Sequence, residues 1–169
     1  QFAENIDQLV FIATADLAPT LDVIRWFNTP RPLALADLRG RVVVLHAFQM
    51  LCPGCVQGGL PQAQRISRLF PAEEVAVIGL HTVFEHHAAM TPVSLEAFIQ
   101  EYRLTFPIGI DRPAEDGPIP RTMAAYGMCG TPSLILIDRA GRIRKHGFGA
   151  EDDMSVGAEI ATLLAEPAD

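Results

Sequence analysis

Two cysteines at three-residue spacing, Cys52-Pro53-Gly54-Cys55, directly follow the apolar run Arg41-Val42-Val43-Val44-Leu45-His46-Ala47-Phe48. If residues 52–69 are helical, both thiols lie on the first turn, with Cβ atoms about 5–6 Å apart. A disulfide can close there with little backbone movement. The free N–H groups and positive dipole end of that turn favour a thiolate over a thiol. That marks Cys52, the outer cysteine, as nucleophile and Cys55 as resolving thiol. The competing chemistry is half of a zinc site, which needs two more ligands in tetrahedral arrangement. Only Cys129 and five scattered histidines remain to supply them, with no second paired motif. The expectation is a redox dithiol and no metal.

The elements that must hold these cysteines are legible in outline. Residues 41–48 read as a strand, and residues 74–80 form a near-continuous apolar run typical of a buried parallel strand. With the dithiol helix between them they make a βαβ unit. Thr91 can cap a second helix with Pro92 at its first position, and Leu95, Phe98, Ile99 and Tyr102 then fall on one face. Residues 106–110 read as a short strand, and Pro113, Gly117, Pro118 and Pro120 punctuate a surface loop. Residues 132–138 and 142–147, separated by Arg139-Ala140-Gly141, read as an antiparallel hairpin. Val156, Ile160, Leu163 and Leu164 line a closing helix. A βαβ half, a crossover helix and then ββα is an α/β sandwich with a mixed sheet. Residues 1–40 read as irregular, with residues 1–32 an N-terminal extension to a single domain.

Composition narrows the function classes. A chain of 169 residues that is 49% hydrophobic can fill the core of one domain. Thirteen Lys and Arg against twenty Asp and Glu give a formal net charge of -7. That argues against a nucleic-acid groove or an anionic membrane surface as partner. No apolar stretch approaches the roughly 18–20 residues of a spanning helix, so a soluble protein without membrane insertion is expected. Gln1-Phe2-Ala3-Glu4-Asn5 carries no basic leader pattern, which favours a cytoplasmic over a periplasmic setting. Three cysteines suit one working pair plus a spare better than a disulfide framework.

Several segments, taken in order, carry a family likeness. They are Leu38-Arg39-Gly40-Arg41-Val42-Val43-Val44, Cys52-Pro53-Gly54-Cys55, Ile78-Gly79-Leu80-His81-Thr82, Phe106-Pro107-Ile108, Gly130-Thr131-Pro132 and Leu136-Ile137-Asp138-Arg139-Ala140-Gly141. The chain resembles the thioredoxin-fold redoxins of the TlpA and ResA kind, and more closely still the thioredoxin-like domain of DipZ proteins. The resemblance implies a thioredoxin-like fold, a three-layer α/β/α sandwich with a mixed central sheet. It also implies that Pro132 is a cis-proline facing the dithiol, since X-Pro bonds adopt cis at modest cost. Thr131 and Pro132, with Pro53 and Gly54, would then contact substrate. Two departures stand out. The tryptophan that usually precedes the dithiol is Leu51 here, which removes an aromatic lip beside the nucleophile. Pro61 lies six residues beyond Cys55, one more than the family spacing and after Gly58-Gly59. The extra residue predicts a local bulge, because π-bulges absorb such insertions.

Other residues acquire candidate roles from this resemblance. His46, six residues before Cys52, falls where thioredoxins place a buried acid, and an imidazole there could accept the proton of Cys55. The alternative is a hydrogen-bonded core histidine. Glu85, in the cluster His81, Glu85, His86 and His87, could match the active-site glutamate of the ResA kind as a buried carboxylate. A metal site or a solvated loop are the other readings. Cys129, three residues before Pro132, reads as a buried, inert thiol, with a third redox thiol near the dithiol as the alternative, and Trp26 reads as a core plug rather than a ligand platform.

The expected function is a thiol-disulfide oxidoreductase, acting as a reductase of protein or small-molecule disulfides through a mixed disulfide. No bound cofactor is expected, because the electrons reside in the dithiol and a reductant partner resupplies them. One alternative is a thiol peroxidase, since the motif also resembles the Thr-Pro-Gly-Cys segment of bacterioferritin-comigratory peroxiredoxins, with Cys55 peroxidatic. Against it, Phe48 stands where that pattern has proline. A second alternative is a binding module of the same fold with a structural dithiol.

Overall fold

The computed structural model describes residues 16–167. Six strands form one sheet: β1 (Val23–Phe27), β2 (Val42–Phe48), β3 (Val75–His81), β4 (Ile108–Asp111), β5 (Ser133–Ile137) and β6 (Ile143–Phe148). Their order across the sheet is β1-β4-β3-β2-β5-β6. β2 pairs parallel with β3 and antiparallel with β5, and β3 pairs parallel with β4, so the sheet is mixed. β2 is flanked on both edges and covered on both faces. That is why its seven residues are all buried and its sequence is apolar almost without interruption.

Helices α1 (Leu60–Leu69), α2 (Pro92–Glu101), α3 (Arg121–Tyr126) and α4 (Asp153–Ala165) complete the three layers. One face of β2 presents Val42, Val44 and Phe48 to a core that includes Leu60, Ala63 and Ile66 of α1, Leu95 and Ile99 of α2, and Ile160 of α4. The other face presents Val43, Leu45 and Ala47 to Met123 and Tyr126 of α3 and to Leu35 and Leu38 of a 3-10 turn. The two-residue alternation of strand side chains produces this division. His46, an even-numbered residue, belongs to the first face, beneath α1 and the turn that precedes it. Among the described residues no helix is long and apolar enough to cross a membrane.

The expected strands, the βαβ unit, the hairpin and the helix starting at Pro92 are present. Thr91 caps α2 as its sequence predicts, its hydroxyl accepting from the Ser94 amide at 3.2 Å. Two elements differ from expectation. Val23–Phe27, read as part of an irregular extension, is an edge strand antiparallel to β4. Arg121–Tyr126, not assigned from sequence, is a helix. Its Thr122 and Met123 amides donate to the buried Asp111 carboxylate at 2.8 and 2.9 Å. Asp111 lies at the end of a different element, so the cap is invisible to a local reading.

Candidate active site

The turn that carries the cysteines departs from a regular α-helix, and the cause is Pro61. Proline has no N–H, and its ring crowds the carbonyl four residues earlier, so the i→i+4 ladder cannot run through it unchanged. The chain widens instead into a π-helical turn over Cys55–Gly59, in which the Leu60 amide donates to the Cys55 carbonyl. This is the bulge that the extra residue before Pro61 predicts. Gly59 is the tightest point. A Cβ there would stand 2.5 Å from His46 Cε1 and 3.1 Å from Pro132 Cβ, so only glycine lets the turn settle onto both.

The two sulfurs lie 2.6 Å apart. Cys52 is half-buried and Cys55 fully buried. The Cys55 amide donates to Cys52 Sγ at 3.3 Å, which places an N–H of the first turn against the outer sulfur. Cys52 Sγ also lies 3.5 Å from the Thr131 carbonyl. The Thr131–Pro132 peptide is cis, and the Pro132 ring packs on the dithiol turn, 3.4 Å from where a Gly54 Cβ would be. Burial, reinforced by the Cys52 sulfur, pushes the Cys55 thiol up to about 12. At neutral pH Cys55 therefore holds its proton, and the sulfur open to an incoming disulfide is that of Cys52.

Beneath this turn His46 is 2% exposed, and its Nδ1 has no hydrogen-bond partner. Burial pushes the imidazole down to about 4, so it is neutral at physiological pH. A cavity of about 80 Å³ lies beside it, lined among others by Gly58, Gly59, Gln62, Arg65 and Glu151. Gln62 closes one side by donating to the Glu151 carbonyl and the Asp153 carboxylate, both at 2.9 Å.

These features match a known family. Its model, described as the AhpC/TSA family, spans residues 15–146 and takes in the dithiol, His46 and Pro132. The chain belongs to the AhpC/TSA family. A crystal structure of a thioredoxin-like superfamily protein is 61% identical, with a TM-score of 0.89 over 90% of this chain and 99% of that one. The fold is thus thioredoxin-like. ResA of Geobacillus thermodenitrificans, named a thiol-disulfide oxidoreductase, is 26% identical over 144 residues, 85% of this chain and 74% of ResA. DipZ of Mycobacterium bovis is 28% identical over 171 residues, 99% of this chain but only 23% of DipZ. The chain therefore spans less than a quarter of the length of that relative.

Within this AhpC/TSA framework the residues singled out from sequence separate into two groups. Cys52, Cys55, Pro53, Gly54, Thr131, Pro132 and His46 converge on the dithiol. Glu85 does not join them as a buried carboxylate: it is exposed, and it accepts from Gln49 Nε2 at 3.3 Å. His86 and His87 are exposed too, and no group of three candidate metal ligands occurs among the described residues. His81 is buried, accepts from the Met50 amide at 3.2 Å through Nε2, and is pushed by burial down to about 4. Cys129 is exposed rather than buried. Trp26 is half-buried on β1 against the second core face, as a plug would be.

Sequence reasoning missed Gln49. It is 1% exposed, its side-chain carbonyl accepts from the Phe84 amide at 3.1 Å, and its backbone carbonyl accepts from the Cys52 amide at 3.1 Å. Gln49 and His81 together pin the stretch from 49 to 52 to the carboxyl end of β3. The available signal was a lone amide side chain ending an apolar strand just before the dithiol.

Proposed function

We propose that this chain is a thiol-disulfide oxidoreductase that works as a reductase of polypeptide disulfides. The observation that carries the reading is the pairing of a half-buried Cys52, which receives an amide N–H, with a buried, protonated Cys55 at 2.6 Å. Cys52, as thiolate, attacks one sulfur of the substrate disulfide. The substrate S–S bond breaks, a mixed disulfide forms on Cys52, and the first substrate thiolate leaves. Cys55 then gives up its proton and attacks Cys52 Sγ. The Cys52–Cys55 disulfide forms and the second substrate thiolate departs, so two electrons have passed from dithiol to substrate. A reductant partner returns them by the same exchange in reverse.

In this reading His46 takes up the proton as Cys55 attacks. It is in the neutral form that can accept, and it sits against the turn that begins at Cys55. A proton resting on an imidazole pushed down to about 4 is unstable, so it passes on to solvent through the adjoining cavity. Glu85 acts at one remove, as a positioning residue that steadies Gln49 and with it the amide-bearing loop before Cys52. Thr131, Pro132, Pro53 and Gly54 form the surface that the substrate segment meets.

The peroxidase alternative has less support. Its peroxidatic residue would be Cys55, which is fully buried and whose thiol is pushed up to about 12. A reactive thiol needs the opposite environment.

The deciding experiment follows reduction of a model protein disulfide under a chemical dithiol supply. Cys52→Ser abolishes turnover, whereas Cys55→Ser accumulates a mixed disulfide visible by mass. Limiting iodoacetamide at pH 6.5 labels Cys52 before Cys55. Full turnover by either variant, or preferential labelling of Cys55, overturns the mechanism.

A further inference from the structure

The dithiol stands beyond the carboxyl end of β2, and a separate cavity opens at the other end of the sheet. It measures about 300 Å³, within the range of small-molecule sites, and none of the dithiol residues lines it. Its origin is a mismatch between neighbouring strands. β3 begins at Val75, but β4 pairs with it only from Gly79, opposite Ile108. The Gly79 amide donates to the Pro107 carbonyl at 2.9 Å, and Pro107 has no N–H with which to carry the ladder further back. The outer edge of β3 from Val75 to Ile78 therefore faces a gap in the plane of the sheet. The lining reflects this: Val77 and Phe106 belong to one core face, Leu38 and Ile78 to the other, and all four border the cavity.

This apolar gap has one ionisable residue in its lining. Arg41, just before β2, is half-buried there, with Ser67 and Thr105 as the hydroxyl-bearing neighbours. Its backbone amide donates to the Leu38 carbonyl at 3.1 Å, but its guanidinium makes no hydrogen bond or ion pair among the described residues. Every other described cation that is buried or half-buried has a partner. Arg112 pairs with Asp22, Arg144 with Asp138 and Glu166, and Lys145 with Glu151 and Glu159, while Arg139 donates to the Glu166 carbonyl. The remaining charged residues close in sequence to the cavity, Asp37, Arg39, Arg68, Glu73, Glu74 and Arg103, are exposed and lie outside its lining. A cation that loses part of its water without gaining an anion costs free energy, and a bound anion offsets that cost. In a chain of net charge -7, carboxylates are plentiful, yet none is placed against Arg41.

We propose that this cleft binds a small amphipathic monoanion, an apolar acid whose hydrocarbon body fills the gap beside β3 and whose carboxylate pairs with Arg41. The lining sets the body and the single cation sets the charge. A guanidinium fork takes a carboxylate through two hydrogen bonds. A dianion brings a second charge that finds no partner in an apolar lining, and a neutral molecule leaves Arg41 unpaired. β2 runs from Val42 beside the cleft to Phe48 before the dithiol turn, a span of about 20 Å at the usual rise of a strand. The acid and a disulfide substrate therefore bind apart, and the site stands independently of the reductase reading.

The test titrates octanoate, below its micellar concentration, into the isotope-labelled protein and follows amide chemical shifts, with octanol and octylammonium as neutral and cationic comparators. Octanoate moves the amides of residues 75–78, 105 and 106 saturably, and it binds about ten-fold more tightly than octanol, the scale of a charge-assisted hydrogen bond. Octylammonium binds most weakly. Arg41→Gln removes the advantage of octanoate and leaves octanol binding unchanged, whereas Arg41→Lys, which keeps the charge without the fork, retains part of it. Ala72 is an exposed residue of the lining, so Ala72→Trp closes the cleft to both ligands without entering the core. Urea midpoints near the parent's show that the variants fold. Cys52→Ser binds octanoate as the parent does. The absence of saturable shifts with octanoate, shifts centred on the dithiol turn, or equal affinities for octanoate and octanol overturns the site. So does an Arg41→Gln or Ala72→Trp form that binds octanoate as tightly as the parent.

Discussion

Gly59 rests directly on His46: a methyl group added to the glycine would meet the imidazole Cε1 at 2.5 Å and Pro132 at 3.1 Å. The π-helical turn, the buried base and the substrate loop therefore meet at one position that tolerates no side chain. This contact couples the shape of the dithiol turn to the placement of the imidazole.

Gly59→Ala is expected to force either the turn or His46 out of place, with a loss of about 1–3 kcal/mol in stability as for other overpacked core sites. The loss in turnover should exceed that of Gly58→Ala, because a Cβ at Gly58 meets nothing within 4 Å. Chemical denaturation and steady-state reduction of a protein disulfide measure both. Equal behaviour of the two variants would show that the close approach carries no function.

His46→Leu keeps the volume and removes the proton acceptor. Formation of the mixed disulfide on Cys52 should proceed near the parent rate, and its resolution by Cys55 should slow by about 10²-fold, the lower range for general-base assistance. Rapid-quench trapping separates the two steps. An equal effect on both, or none, assigns the imidazole to packing alone.

Stability should fall in mild acid, and the sign follows from the two buried imidazoles. His46 and His81 are each held down to about 4 by burial, against 6.5 in an exposed site. The unfolded chain therefore binds more protons than the folded one between these values, so the stability present above pH 6.5 drains away as pH falls toward 4. Each histidine contributes up to about 3 kcal/mol over that window. Urea midpoints measured across it should drop, and less steeply in His46→Leu. At the alkaline end the sign reverses: Cys55 keeps its proton up to about 12, against 9.0 in an exposed site, so stability declines once pH passes 9.

Hydrogen peroxide should oxidise the reduced protein little faster than an ordinary accessible thiolate, and at Cys52. Peroxide reduction needs donors arranged around the leaving oxygen at an exposed thiolate, and Cys55 is fully buried in the same core cluster as Phe48, which is itself 0% exposed. Dimedone trapping in stopped-flow samples locates the sulfenic acid. Fast, selective oxidation of Cys55 would favour a peroxidase.

The dithiol, the strand before it, the βαβ order, the Thr91 cap and the β5–β6 hairpin were all readable, because each rests on residues within a few positions of one another. The π-helical turn was readable for the same reason: one residue too many before Pro61, next to two glycines, leaves the helix no other way to close its ladder. Other features depend on partners far along the chain. β1 is a strand because Val23 to Phe27 find β4 more than eighty residues on, while its own neighbourhood of Pro19, Pro30 and Pro32 reads as irregular. α3 starts where Asp111 caps it across a loop rich in proline. The exposure of Glu85 and the tether through Gln49 were decided by how loops fold back over the sheet. Periodicity and motif spacing are local properties of a chain, whereas burial and side-chain contact belong to the packed molecule, and the chemistry around Cys52 is set by the second as much as by the first.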